Sequence, residues 1–400
     1  MATLPERFEE FAQARRNGFL RVMELKDSGA TICGTFCQYA PAEIIRAAGL
    51  YMVGLCGKSQ EPIPAAEREL PANLCPLIKS SYGHVLEDSC PYAYFSDLVV
   101  GETTCDGKKK MFEMLGRHKP TRVIHLPNVP DRERSLEGWV QELREFRADL
   151  EQRFHLTITD EMLRESIRWC NRERVQAARI YELGRCDPPA IRGVDMRNIM
   201  EGEQYIFNKE EKYQKLTEIL DRCEADWRAG RGPYPPDAHP VRILVSGAGF
   251  GGSAEKTINV IEELGGAIVC YEGCSGIVSR RRLVEESETK DPIVCIAEKY
   301  LEVPCAVMAP NDARFAQVEA TIDEWKIDGV VSITLHSCNP FGIEARNIER
   351  VCQQRGVPHL HLSTDFSQSD AGQLRTRIGA FLEMLQTRRN ARQDSGAACV

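Results

Sequence analysis

No apolar run in the 400-residue chain approaches the ~20 residues that a membrane-crossing helix needs. The N-terminus, Met1-Ala2-Thr3-Leu4-Pro5-Glu6-Arg7, lacks the basic-then-apolar pattern of a secretion signal. Together these absences lead to the expectation of a cytoplasmic protein with no membrane partner. Positive charge is short as well: the formal net charge is -8, and Lys108-Lys109-Lys110 and Arg280-Arg281-Arg282 are only local basic runs. A face for nucleic-acid phosphates needs clustered Lys and Arg, so no nucleic-acid partner is expected. The glycine-rich segment Ser246-Gly247-Ala248-Gly249-Phe250-Gly251-Gly252 lacks the Lys-Ser/Thr ending of a phosphate-cradling loop. It is read as a tight strand-to-helix turn, with no ATP or NAD site.

Cysteine, in contrast, is abundant, at 16 residues. In a reducing compartment disulfides are the wrong explanation, and metal binding or redox chemistry is the better one. Context separates the cysteines. Cys170, Cys223 and Cys352 fall in charged helical sequence, Cys399 is in the tail, and Cys56, Cys270 and Cys295 lie in or beside apolar runs where a small buried thiol needs no function. Cys37, Cys75, Cys105, Cys274, Cys305 and Cys338 each sit where an element ends and a loop begins, in settings such as Leu74-Cys75-Pro76 and Ser337-Cys338-Asn339-Pro340. Thiolates at such places can converge on one ion or cluster. Cys33, Cys90 and Cys186 are reserve ligands. No Cys-x-x-Cys pair occurs among the six, which argues against a zinc ribbon, a thioredoxin-type site or a ferredoxin-type run. Spacing alone leaves two alternatives open, a cluster held by widely separated cysteines or a set of buried structural thiols.

The length exceeds that at which one core usually stops growing, so two domains are expected, residues 1–230 and 231–400. The first reads as an amphipathic helix over 5–26, then strands near 31–37, 50–55, 98–101 and 121–126 alternating with helices. Such alternation implies a parallel sheet with helices on its faces. Residues 136–228 read as a helical extension, and the Pro/Gly-rich stretch Arg228 to Asp237 as the boundary. The second half repeats the plan, with strands at 241–245, 267–270, 330–335 and 359–362 and a last helix near 374–386. Two parallel α/β domains facing each other would place their strand-end loops around a shared cleft.

Four segments, GTFCQYAPAEIIRAAGL, LPANLCPLIKSSYG, LVVGETTCDGKKKMFEML and TDFSQSDAGQLRTRIGAFLEML, resemble the 2-hydroxyacyl-CoA dehydratase D-component and benzoyl-CoA reductase superfamily. Three others, GGAIVCYEGCSG, AEKYLEVPCAVMAPNDARF and IDGVVSITLHSCNP, resemble its single-subunit branch of double-cubane cluster proteins. The resemblance implies two flavodoxin-like domains with a cluster between them. It implies one [4Fe-4S] cubane on Cys75, Cys105 and Cys338 and a second on Cys37, Cys274 and Cys305, joined by a sulfide into an [8Fe-9S] double cubane. One departure is Ala248, where a cysteine is frequent in the branch. The implied activity is low-potential reduction of a small substrate, with electrons from a separate ATP-hydrolysing [4Fe-4S] activator and a homodimer as the assembly. The alternatives are a 2-hydroxyacyl-CoA dehydratase subunit with one [4Fe-4S] cluster and a non-catalytic electron carrier. Reduction needs protons, and Glu272 and His336, each two residues before a predicted ligand, are candidate donors. The plain alternative pairs Glu272 with a local base and packs His336. Glu43 reads as a charge favouring a helix N-terminus.

Overall fold

A computed structural model describes residues 6–129, 132–247, 250–273, 276 and 281–397, without the side chains of 6–16, 132, 250 and 392–397. The alternating apolar runs become two four-stranded sheets. β1 (Ile32–Thr35), β2 (Tyr51–Gly54), β3 (Leu98–Glu102) and β4 (Thr121–Ile124) form the first, in the order β2-β1-β3-β4. β5 (Val241–Gly247), β6 (Gly266–Gly273), β7 (Gly329–Leu335) and β8 (His359–Thr364) form the second, in the order β6-β5-β7-β8. Every pairing is parallel. This is the expected α/β class, two flavodoxin-like parallel-sheet units whose shared order reverses direction beside the first strand of each. β3, β5 and β7 are buried along their whole lengths, which is why they read as unbroken apolar runs rather than alternating ones.

Residues 132–228 are helical, as their charged periodicity predicts: Arg132–Phe154, Asp160–Arg185, Gly193–Gly202 and Lys209–Arg228. They do not cover the first sheet alone. The helix Asp160–Arg185 gives Leu163 and Ile167 to the core of the first sheet and Ile180, Tyr181 and Leu183 to that of the second. In the reverse direction the helix Pro292–Leu301 sends Ile293, Ile296 and Tyr300 into the first sheet's core. The halves therefore interlock, which a linear reading at residue 230 does not show.

The glycine-rich turn has a packing reason beyond turning. A Cβ on Gly251 or Gly252 would strike Lys58 of the first half, so the two halves approach through bare backbone here. Gly247 adopts φ +130 with Ile333 against it, a position closed to other residues. Ala248 and Gly249 lie outside the described residues.

Candidate functional site

Three of the expected cysteines occupy the same structural position. Cys75, Cys105 and Cys338 are the N-cap residues of the helices Pro76–Leu86, Asp106–Leu115 and Asn339–Gln354. The sequence explains why each helix begins there: Pro76 and Pro340 have the φ of a first turn and no N–H to lose, and Asp106 favours the positive helix end. Unpaired backbone N–H groups of a first turn carry partial positive charge, which stabilises thiolates.

Cys75 and Cys338 share a side-chain hydrogen bond, although one follows the first sheet's β2 and the other ends the second sheet's β7. That bond, with the amides of Leu77 and Ile78 at the helix start, pushes the Cys75 thiol down to about 7. Cys338 keeps the shared proton and is pushed up by the same bond, by burial and by the charges of Cys75 and Cys105. Cys305 is pushed up to about 12 by burial and by Cys37. The ammonium of Lys108 lowers both Cys75 and Cys305, and its Nζ donates to the carbonyl of Phe36 at 3.3 Å.

These sulfurs line one cavity of 1440 Å³ between the two sheets, bounded by Cys37, Cys75, Cys105, Cys305 and Cys338. Cys274 lies outside the described residues. Two cysteines set aside as inert, Cys56 and Cys170, also reach the cavity wall. Cys56 donates to the Phe36 carbonyl at 3.1 Å, and Cys170 is buried beside Arg174 and Arg46. Among the reserve residues Cys33 is fully buried in the first sheet, Cys90 caps the short helix Pro91–Phe95, and Cys186 follows the helix ending at Arg185. None of the three lines the cavity.

The proton-donor candidates fall elsewhere. Glu272 is wholly buried at the end of β6, where Arg314 Nε and Nη2 each donate to it at 2.9 Å and Ser246 Oγ at 2.6 Å. Burial pushes its carboxyl up, but the Arg314 charge and these hydrogen bonds more than offset that and hold it below the ordinary carboxylate range. It thus pairs with a base, though one 42 residues along the chain rather than a local one, and the pair has a structural target. Arg314 also binds Glu344 at 2.5 Å, and Asn311, which donates to Glu344 at 3.1 Å, donates to the carbonyl of Cys305 at 2.9 Å. The network anchors the Cys305 loop. His336 turns outward, half exposed and 4.0 Å from Asp365, and does not line the cavity. Glu43 stands in the first turn of the helix Ala42–Ala47, as expected, and is buried there, bound by Arg174 at 2.5 Å and by the Tyr300 hydroxyl at 3.0 Å.

Sequence reasoning passed over the cavity's other ionic residues. Arg46 pairs with Glu173 at 2.7 Å, Lys212 joins the same carboxylate, and Lys58 pairs with Glu201 at 3.0 Å. Each looks like an ordinary surface charge in the sequence because its partner is distant in the chain. Glu102 has a different environment: fully buried, with both carboxyl oxygens lacking a hydrogen-bond partner.

Among the described residues no three His, Cys, Asp or Glu side chains converge tightly enough to hold a single ion. By its chemistry the set fits a larger, soft, sulfur-ligated group: several thiols facing one cavity, three at helix N-termini and two within the field of Lys108.

The sequence profile of the 2-hydroxyglutaryl-CoA dehydratase, D-component, family matches residues 37–385. The chain is 44% identical over 383 residues to the Escherichia coli (strain K12) protein YjiM, provisionally named a dehydratase subunit, over 96% of this chain and 98% of that one. It is 23% identical to the (R)-phenyllactyl-CoA dehydratase beta subunit of Clostridium sporogenes, over 94% of this chain and 98% of that protein. With a benzoyl-CoA reductase subunit of Thauera aromatica it shares 22% identity over 87% and 89% of the two chains.

Proposed function

The chain belongs to the 2-hydroxyglutaryl-CoA dehydratase, D-component, family, and from that premise we propose that it is an iron–sulfur reductase whose cysteine-lined cavity holds a double-cubane [8Fe-9S] cluster. Cys75, Cys105 and Cys338 would hold one half, and Cys37 and Cys305, with Cys274, the other. When bound, such a group supplies low-potential single electrons. In this reading a separate ATP-hydrolysing [4Fe-4S] activator delivers the electrons, the substrate is small, and two copies of the chain form the working unit. The activator is needed because the chain offers no recognisable nucleotide-binding loop of its own.

The protein's own part follows from the geometry. Helix N-termini present partial positive charge to the sulfurs of Cys75, Cys105 and Cys338, and the Cys75 thiol is lowered toward the thiolate form that ligation requires. Lys108 offsets accumulating negative charge, and the Glu272–Arg314–Glu344 network keeps the Cys305 loop in place. The cavity sits between the sheets at the carboxyl ends of β1, β2, β3 and β7.

The observation that carries the reading is the convergence of cysteines from both halves on one cavity. Anaerobic purification with iron and acid-labile sulfide analysis tests it: about eight irons per chain is the expected result. About four would favour a single-cluster dehydratase subunit, and none would remove the cluster altogether. One observation favours the dehydratase reading: the cavity's 1440 Å³ exceeds the roughly 300–1,000 Å³ of ordinary small-molecule pockets and has room for an acyl thioester. Calorimetric titration with a 2-hydroxyacyl-CoA separates the two, since the reductase reading expects no binding.

A further inference from the structure

Glu173 holds two cations on one carboxylate. Arg46, in the helix Ala42–Ala47, meets its Oε2 through Nη1 at 2.7 Å, and Lys212, in the helix Lys209–Arg228, meets its Oε1. Among the described residues Glu173 is the only ion-pair partner of either cation. A guanidinium and an ammonium together carry more N–H donors than one carboxylate can engage, so donors remain over. All three side chains line the cavity. The other buried charges of this wall are balanced: Arg174 meets Glu43 at 2.5 Å, Lys58 meets Glu201 at 3.0 Å, and the buried Lys299 is matched in number by the buried Glu203. Glu165, Lys209 and Glu210 at the rim are exposed and solvated. One positive charge is therefore in excess, and it belongs to the Arg46–Glu173–Lys212 trio.

Beside the trio the wall is apolar. Helical spacing puts Trp169, Cys170 and Glu173 on one stripe of the helix Asp160–Arg185. Cys170 lies in the fields of Arg46 and Arg174, yet burial pushes its thiol up to about 11, so it is a neutral surface. Across the cavity, Tyr51 of the edge strand β2 meets Phe207 edge to face, with ring centroids 6.5 Å apart. A partly buried cation pair of this kind gains most from a ligand that brings the missing negative charge at one end and an apolar body behind it.

We propose that Arg46 and Lys212 form a carboxylate-binding subsite, and that the cavity takes a small free carboxylic acid with an apolar or aromatic body. The two cations donate to the ligand's carboxylate through the N–H groups that Glu173 leaves over, and the body lies against Trp169, Tyr51 and Phe207. This names a substrate class for the reductase reading above and rests on that reading only for the claim that the bound acid is the one reduced. Binding itself needs only the folded chain.

Calorimetric titration of the full-length protein, both metal-free and iron-loaded, with acetate, hexanoate and 3-phenylpropionate tests the subsite. Hexanoate or 3-phenylpropionate should bind, and the corresponding amide should bind about tenfold more weakly or worse, as expected for a lost charge-assisted contact. Arg46→Met and Lys212→Met should each weaken the acid by about tenfold, while the remaining cation still pairs with Glu173. Glu173→Gln should tighten it, because both cations are then released from their carboxylate; weakening there would assign the trio to packing and overturn the proposal. So would no binding of any acid, equal affinity for acid and amide, or unchanged affinity in both cation variants. If one cation variant does not fold, the other and the amide comparison decide. Inorganic phosphate that binds more tightly than every acid overturns the carboxylate. A protein that binds the acid but holds no iron overturns the cluster reading and supports the subsite, whereas one that holds iron but binds no acid does the reverse.

Discussion

Two buried glutamates respond to their surroundings in opposite directions, and stability against pH should show it. Glu102 is pushed up to about 8 by burial, while the unfolded chain ionises near the ordinary carboxyl value. Between those limits the folded state binds one more proton than the unfolded, so stability falls as pH rises, by up to roughly 1.4 kcal/mol per pH unit. Urea midpoints measured over that range should lose this slope in Glu102→Gln. Glu272 is held below its ordinary value, so its contribution is complete above the unfolded value and is lost as pH falls through the folded one. Replacing it with Gln leaves Arg314 buried with less compensation, and such broken pairs cost ~3–5 kcal/mol. A Glu272→Gln urea midpoint corresponding to less than ~1 kcal/mol would mean that the network is not what anchors the Cys305 loop.

The helix that joins the two cores is Asp160–Arg185, and its start is capped by Thr159, whose Oγ1 accepts from the backbone N–H of Met162 at 3.2 Å. The helix brings Glu173 and Arg174 to the cavity wall, where Arg174 meets Glu43 from the helix Ala42–Ala47. Removing the cap by Thr159→Ala should cost about 1 kcal/mol in thermal or urea unfolding without changing iron content. Iron loss in that variant would show that the helix register controls the cysteine-lined cavity directly. The helices capped by Cys75, Cys105 and Cys338 follow a related logic: their start signals, Pro76, Asp106 and Pro340, stand in the sequence as local chemistry. The shared function of those starts does not, because it depends on three N-termini aimed at one space.

The two halves meet across the cavity through Cys75 and Cys338, so any group ligated there ties the sheets together. Binding energy for such a group becomes folding energy for the interface. Cys338→Ala should lose about half the iron and lower the temperature at which the halves separate, as read by calorimetry on the metal-loaded chain. Cys352→Ala, deep in the second core, should keep full iron and lose only packing. Equal iron in both variants would remove Cys338 from the ligand set.

Local chemistry in the sequence determined the class of the fold. Strands of β-branched and apolar residues alternate with capped helices, and the charged stretch over 136–228 has helical periodicity because its exposed faces repeat with the turn. That Cys37, Cys75, Cys105, Cys305 and Cys338 lie at element ends was legible for the same reason, since such ends announce themselves through Pro, Gly and polar neighbours, whereas their place on one cavity wall came from the fold. The destinations of Glu272, His336 and Glu43 were not. Period-two reasoning placed Glu272 on a face but could not see Arg314 arriving from 42 residues away, nor Arg174 reaching Glu43 across the helices. Tertiary packing also decided that Glu102 is fully buried and that Cys56 and Cys170 reach the cavity wall. Sequence carries propensity and period, which act between near neighbours, whereas ionisation, burial and convergence are set by residues that only folding brings into range.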